Sequence, residues 1–164
     1  MSTYNSYDPR EEIRSKIGYS HYMNGHQEST VSVTDNENTV VYLPLLFPDE
    51  ARGQDSREMP FVEMTLMSQP CTTHNITGDS HIEESYVDLH IYYTNTDNIT
   101  SNVFGKKVAD EIVNCITQNR HDVNGTVWIE VVNKGREQFE QAINGTMVVF
   151  HRIIEVYCVN YTHG

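Results

Sequence analysis

The chain has little of what marks the commonest chemistries. Its three cysteines (Cys71, Cys115 and Cys158) are an odd number without framework spacing, which argues against a disulfide scaffold. Lysine and arginine number 11 against 23 acidic residues, for a net charge of −12. That balance argues against nucleic acid held by a basic patch, although it suits a conduit past which DNA slides. The nine glycines stand singly, so no glycine-rich loop is available to cradle phosphate. No apolar run approaches the length of a bilayer span. The opening residues, MSTYNSYDPREE, contain no apolar signal-peptide core. The expectation is a protein made in the cytosol and kept there or packaged from it, with no membrane partner. No internal repeat or Pro-rich linker divides the 164 residues, which suffice for one domain with its own core.

Catalytic and metal-binding patterns are also missing. Among eight histidines, His74 lies three residues after Cys71, with His81 and His90 further on. No second CxxC or HxxxH supplies the paired ligands of a zinc site. Asp88 and His90 would share a strand face, as a base and its orienting group do. No GxSxG nucleophile elbow exists for them to serve, so a polar interface face is expected there. Glu83 and Glu84, as strand neighbours, would face opposite ways. Lys106 and Lys107 read as solvated charges on a helix. Five Asn-x-Thr sequons begin at Asn75, Asn98, Asn124, Asn144 and Asn160, in keeping with a chain rich in both residues. The residues therefore predict no catalytic centre, no cofactor and no metal.

What is present is hydrophobic periodicity. Val87, Leu89, Ile91 and Tyr93 alternate with Tyr86, Asp88, His90 and Tyr92, the two-residue period of a strand with one face on the core. Turn formers follow, and then Phe104, Val108, Ile112, Cys115 and Ile116 form one apolar stripe of a helix over about residues 102–119. A buried free thiol is expected at Cys115. Asp8-Pro9-Arg10-Glu11 is a helix start, continued by Ile13 and Ile17 and ended by Gly18. Residues 19–28 are polar and read as irregular. Thr30–Thr34 and Thr39–Leu43, around Asp35–Asn38, predict a hairpin. Phe61–Met67 reads as a strand, Cys71–Ser80 as a loop and Asp49–Glu58 as an exposed loop. Thr126–Val132 is a strong strand, broken by Asn133–Gly135. Arg136–Ile143 has helical spacing at Phe139, Ala142 and Ile143 over a short piece. The longest strand, Met147–Tyr161, is apolar on two faces. The fold class expected is α+β: a mainly antiparallel sheet of mixed strand order, packed by one main helix, with a short N-terminal helix and a β-hairpin.

MPFVEMTLMSQP (Met59–Pro70), EESYVDLHIYYTNTDN (Glu83–Asn98), GKKVADEIVNCI (Gly105–Ile116) and VVFHRIIEVYCVNY (Val148–Tyr161) together resemble the tail terminator, or tail completion, proteins of long-tailed viruses of bacteria and archaea. In that family a strand opening on Pro-Phe or Pro-Tyr precedes a Val-Asp-apolar strand and then the helix. The last strand carries an aromatic-His/Arg-Arg-apolar-apolar pattern, matched here by Phe150-His151-Arg152-Ile153-Ile154. The resemblance covers about two-thirds of the chain, and its motifs are packing patterns. The short N-terminal helix and the extra hairpin over Glu28–Leu46 depart from it.

The resemblance implies a sandwich-like subunit in a homo-hexameric ring within the virion, assembled in the host cytoplasm. The ring would cap the head-proximal end of the tail, in contact with the tail tube protein and with a head-completion or adaptor protein of the neck. Double-stranded DNA would be only in transit through the lumen. Six copies would carry about −72, six times the single-chain charge, a field that discourages phosphate from sticking. One face of the last strand (Met147, Val149, Ile153, Tyr157 and Val159) is then expected at a subunit interface. The other (Val148, Phe150, Ile154, Val156 and Cys158) is left for the core. Asp49, Arg52, Arg57, Lys134 and Arg136 sit in polar loops expected to touch axial neighbours. Competing readings are another neck ring, a small histidine-rich metal enzyme, or a secreted glycoprotein.

Overall fold

A computed structural model describes residues 8–23, 25–52, 59–73, 80–95, 99, 101–118, 127–141 and 148–163. Helix α1 (Pro9–Ile17) starts where the sequence predicts. The Asp8 carboxylate accepts the Arg10 backbone N–H at 3.0 Å, and the Arg10 guanidinium grips the same carboxylate at 2.9 Å. That charged hydrogen bond holds Asp8 below the usual carboxylate range. Gly18 closes the helix with its N–H on the Arg14 carbonyl, and Ile13 and Ile17 are buried.

Residues 19–23 and 26–28 lie in strands, where the sequence reads as irregular. Strand β1 (Tyr19–Met23) pairs antiparallel with β2 (His26–Thr34) through a turn at Gly25, where φ is +87°. Tyr19 and Tyr22 are 64% and 63% exposed, so β1 buries neither face and shows no alternation to read. Strand β3 (Val40–Leu46) completes the predicted hairpin with β2. In its turn the Asp35 carboxylate accepts the N–H groups of Glu37 and Thr39, as Asx turns do. The expected loop after Pro48 begins instead with a one-turn helix, α2 (Pro48–Arg52).

Strand β4 (Phe61–Ser68) lies parallel to β3 and antiparallel to β6 (Ser80–Thr94). A short strand, β5 (Cys71–Thr73), pairs with the start of β6, where a loop was expected. Helix α3 (Ser101–Gln118) follows, within a residue of its predicted limits. Then come β7 (Val127–Asn133), β8 (Glu137–Gln141) and β9 (Val148–His163). The helical spacing around Phe139 is overridden, because Glu137–Gln141 pairs along Val148–Arg152 of β9. The strand order is β1-β2-β3-β4-β6-β9-β7, with β5 on β6 and β8 on β9.

Helices α1 and α3 lie on one face of this sheet. Ile13, Ile17, Phe104, Val108, Ile112 and Ile116 form one core with Val62, Met64, Val87, Leu89, Ile91, Ile129, Ile154 and Val156. Cys115 and Cys158 are buried free thiols, pushed by burial up to about 11 and about 12. Gly105 lets the first turns of α3 settle onto fully buried Tyr93; a Cβ there would stand 2.9 Å from the ring's Cζ. The Tyr93 hydroxyl donates to the Glu137 carboxylate of β8. Burial, then that carboxylate, pushes its ionisation above the ordinary phenol range.

Two outcomes follow for denaturant unfolding. Ile112→Ala should lower stability by about 2–5 kcal/mol, the range for buried large-to-small changes; a loss under about 0.5 kcal/mol would place Ile112 at the surface. Gly105→Ala should destabilise by about 1–3 kcal/mol through overpacking on Tyr93. An exposed helical site would instead gain up to about 1 kcal/mol, so the sign of the change decides.

Candidate functional site

Strands β6 and β9 pair antiparallel from Ser80↔His163 to Thr94↔Val149. The two-residue period turns Leu89, Ile91, Ile154, Val156 and Cys158 toward the helices, where all are fully buried. Their neighbours form the outer face of the sheet. Across it stand Tyr92 beside His151, His90 beside Ile153, Asp88 beside Glu155, Tyr86 beside Tyr157 and Glu84 beside Val159. No helix of the main core covers these pairs.

The outer face changes character along its length. At one end Leu46, Phe61, Met59 and Tyr92 make a small second apolar cluster. Phe61 packs on Tyr92 at 5.3 Å, and Tyr92 stacks on His151 at 4.4 Å with the rings 7° from parallel. His90 Nδ1 lies 2.9 Å from His151 Nε2. His151 and Glu63 are consequently buried, although both lie opposite the helices. Toward the other end Tyr86 packs on Tyr157 at 5.2 Å. Here Tyr86 is 42%, Tyr161 41% and Met67 58% exposed. Desolvation, then Glu84, pushes the Tyr157 hydroxyl up to about 12.

Between the two ends is a concavity of about 410 Å³ lined by Asp88, Asn133, Gly135, Arg136, Gln138, Ile153 and Glu155. Its wall is the turn from β7 to β8. Gly135 adopts φ +67°, and an added Cβ would run into the Ile153 carbonyl. Its N–H donates to the Asn133 side chain at 2.7 Å, and its carbonyl accepts from Arg152 at 3.1 Å. Asp88 and Glu155 are like charges set directly opposite each other. Burial, then Glu155, raises the Asp88 ionisation, while His90 lowers it.

The residues singled out from sequence fall as follows. Val149, Ile153, Tyr157 and Val159 lie half-buried on the outer face, opposite the helix-facing set; Met147 lies outside the described residues. Asp49 is exposed on α2 and Arg52 ends that helix, whereas Arg57 is outside the described residues. Lys134 is tied to Asp110 of α3 at 2.6 Å, and Arg136 is exposed in the turn. Asp88 and His90 share a face as expected, but His90 bonds to His151. His81 and His90 are nine residues apart on one strand, about 30 Å at strand rise, and His74 is outside the described residues. Among the described residues no cluster of three or more His, Cys, Asp or Glu could hold a metal ion. No helix there is long and apolar enough to cross a membrane.

No protein-family model matches the chain, and a search of curated proteins returns no match. What sequence reasoning missed is the histidine pair. His90 on the outward face of its strand was the available signal, but only the β6–β9 register brings it to His151. The like-charge pair gives a test. Asp88→Asn should raise stability at neutral pH by at most about 1 kcal/mol, the scale of cross-strand pairs. The Asp88 ionisation is raised on folding, so the gain should shrink as pH falls through it toward 3.8 and vanish below. Thermal unfolding of both proteins from pH 7 to 3 would check this; a loss on substitution at pH 7 would show that Asp88 stabilises the turn instead.

Proposed function

We propose that this chain is a structural subunit of a virion ring, a tail terminator that caps the tail tube and joins it to the neck. One observation carries most of the weight: the uneven treatment of the two faces of β9. Ile154, Val156 and Cys158 are fully buried under the helices, while Ile153, Tyr157 and Val159 remain half-open beside exposed Tyr86 and Tyr161. An apolar and aromatic strip on an uncovered sheet face, broken by the Asp88–Glu155 pair, is the kind of surface that oligomers bury. The motif resemblance supplies the kind of oligomer, a hexamer closed by cyclic symmetry.

The chemistry of the chain supports a structural rather than a catalytic role. The outer face offers aromatic rings, aliphatic side chains, a few carboxylates and the His90–His151 pair. The net charge of −12 suits a subunit lining a DNA conduit, because phosphate is repelled by such a wall. The tail tube and neck proteins would meet the ring axially, where Asp49 and Arg136 project.

Ile153→Glu places a charge in the open strip. The variant should remain folded by circular dichroism yet run as a monomer in native mass spectrometry under conditions where the wild type forms a ring. A virus carrying it should make tails of uncontrolled length, or tails that fail to join heads. Normal tails joined to heads by a proven monomer would overturn the proposal. So would a wild-type protein that stays monomeric both alone and with its tail tube protein.

A further inference from the structure

His90 Nδ1 and His151 Nε2 stand 2.9 Å apart, with ring centroids 5.1 Å apart and the planes within 17°. Tyr92 lies flat against His151, and only 6% of His151 is exposed. Of the two facing nitrogens one must donate and the other accept. A neutral pair meets that condition, and so does a pair carrying one extra proton on a nitrogen that faces away. A second extra proton makes both facing nitrogens donors. The hydrogen bond is then replaced by two cations in contact, of which His151 is too buried for water to screen it well.

We propose that His90 and His151 form an acid-operated latch between β6 and β9, closed with no more than one extra proton and opened by the second. Among the described residues, the charged groups on this face nearest the pair are Glu63 of β4, Asp88 of β6, Glu155 of β9 and Arg136 of the turn before β8, with Glu84 of β6 and Glu130 of β7 further along it. Gln138 of β8, opposite His151, is neutral. The phenol of Tyr92 comes from β6 itself. Of the acids on α2, next to β4, Glu50 is engaged by Arg14 and Asp49 is exposed. The carboxylates nearest the pair favour the first proton. They leave the two facing nitrogens without an acceptor between them once both donate.

In the unfolded chain each imidazole titrates near about 6.5. The folded pair resists the second proton, so the unfolded state binds more protons below that pH and stability falls with acidity. The latch contribution is complete above about pH 6.5. Below it the unfolding equilibrium should shift by up to about tenfold per pH unit. His90 also sits beside Ile153. On the ring reading of the preceding section, and resting on it, opening the latch disturbs the strip on which a second copy docks, so the ring loosens in acid.

Imidazole NMR of the wild-type protein from pH 8 to 4.5 tests the latch directly. The expected result is coupled titration: one proton taken up in the ordinary range, and the second delayed and accompanied by shifts of Tyr92 and Ile153. Two independent titrations near pH 6.5 with neighbours unmoved would overturn it. His151→Phe keeps a flat ring against Tyr92 but cannot protonate, and should flatten the acid loss of stability between pH 6.5 and 4.5. An unchanged pH slope in that variant counts against the latch; if the variant fails to fold, the wild-type titration still decides. Native mass spectrometry over the same pH range separates the two ideas. Ring loss tracking the second protonation supports the coupling, and a ring that survives an open latch refutes the coupling alone. Absence of a ring at any pH refutes the ring reading, while the titration still judges the latch.

Discussion

The register between β6 and β9 is the constraint on which the rest of the molecule depends. Fifteen residues of β6, Ser80 to Thr94, each stand opposite one residue of β9. Because side chains alternate with a period of two, this one alignment assigns every side chain of both strands to a face. A slip of one residue in either strand would put Leu89 and Ile91, or Ile154 and Val156, in water and drive charged or polar neighbours under the helices. The apolar stripes of α1 and α3 require the observed assignment, since they have no other surface to cover.

From that alignment follows the unequal covering of the sheet. β9 is apolar on both faces and β6 adds Tyr86 and Tyr92 to the outer one, yet α1 and α3 lie on a single face. On the other face, part of the surface is closed locally by Phe61, Met59, Leu46 and the stacked rings around His151. The remainder, from Ile153 to Tyr161, is left half-open. A sheet can be stable with one wet face when that face is polar. Here it is aromatic and aliphatic, interrupted by Asp88 and Glu155, which favours a partner layer over bulk water.

Polar contacts tie the edges to this frame. Tyr93 reaches from the core to Glu137, Lys134 reaches back to Asp110 of α3, and Arg152 holds the Gly135 carbonyl. These three contacts bind the turn between β7 and β8, and the first residue of β8, to three different elements. The concavity beside Asp88 therefore has a tethered wall. Exposed ion pairs such as Lys134 to Asp110 contribute little energy singly; their effect here is to set where the turn sits.

Some of this was legible in the residues alone. The strand Tyr86–Tyr93, the stripe of α3, the capped start of α1, the hairpin around Asp35–Asn38 and the two-faced character of β9 each rest on local periodicity or local capping, which the sequence by itself determined. The strands β1, β5 and β8 were hidden. β1 buries neither side, β5 is only three residues long, and β8 has helical spacing at Phe139, so each exists through pairing with a distant partner. The histidine pair and the Asp88–Glu155 opposition were hidden for the same reason: His90 and His151 are 61 residues apart. Only the tertiary structure decided them, because a strand's own pattern states which residues share a face but not which residues of another strand will stand across from them.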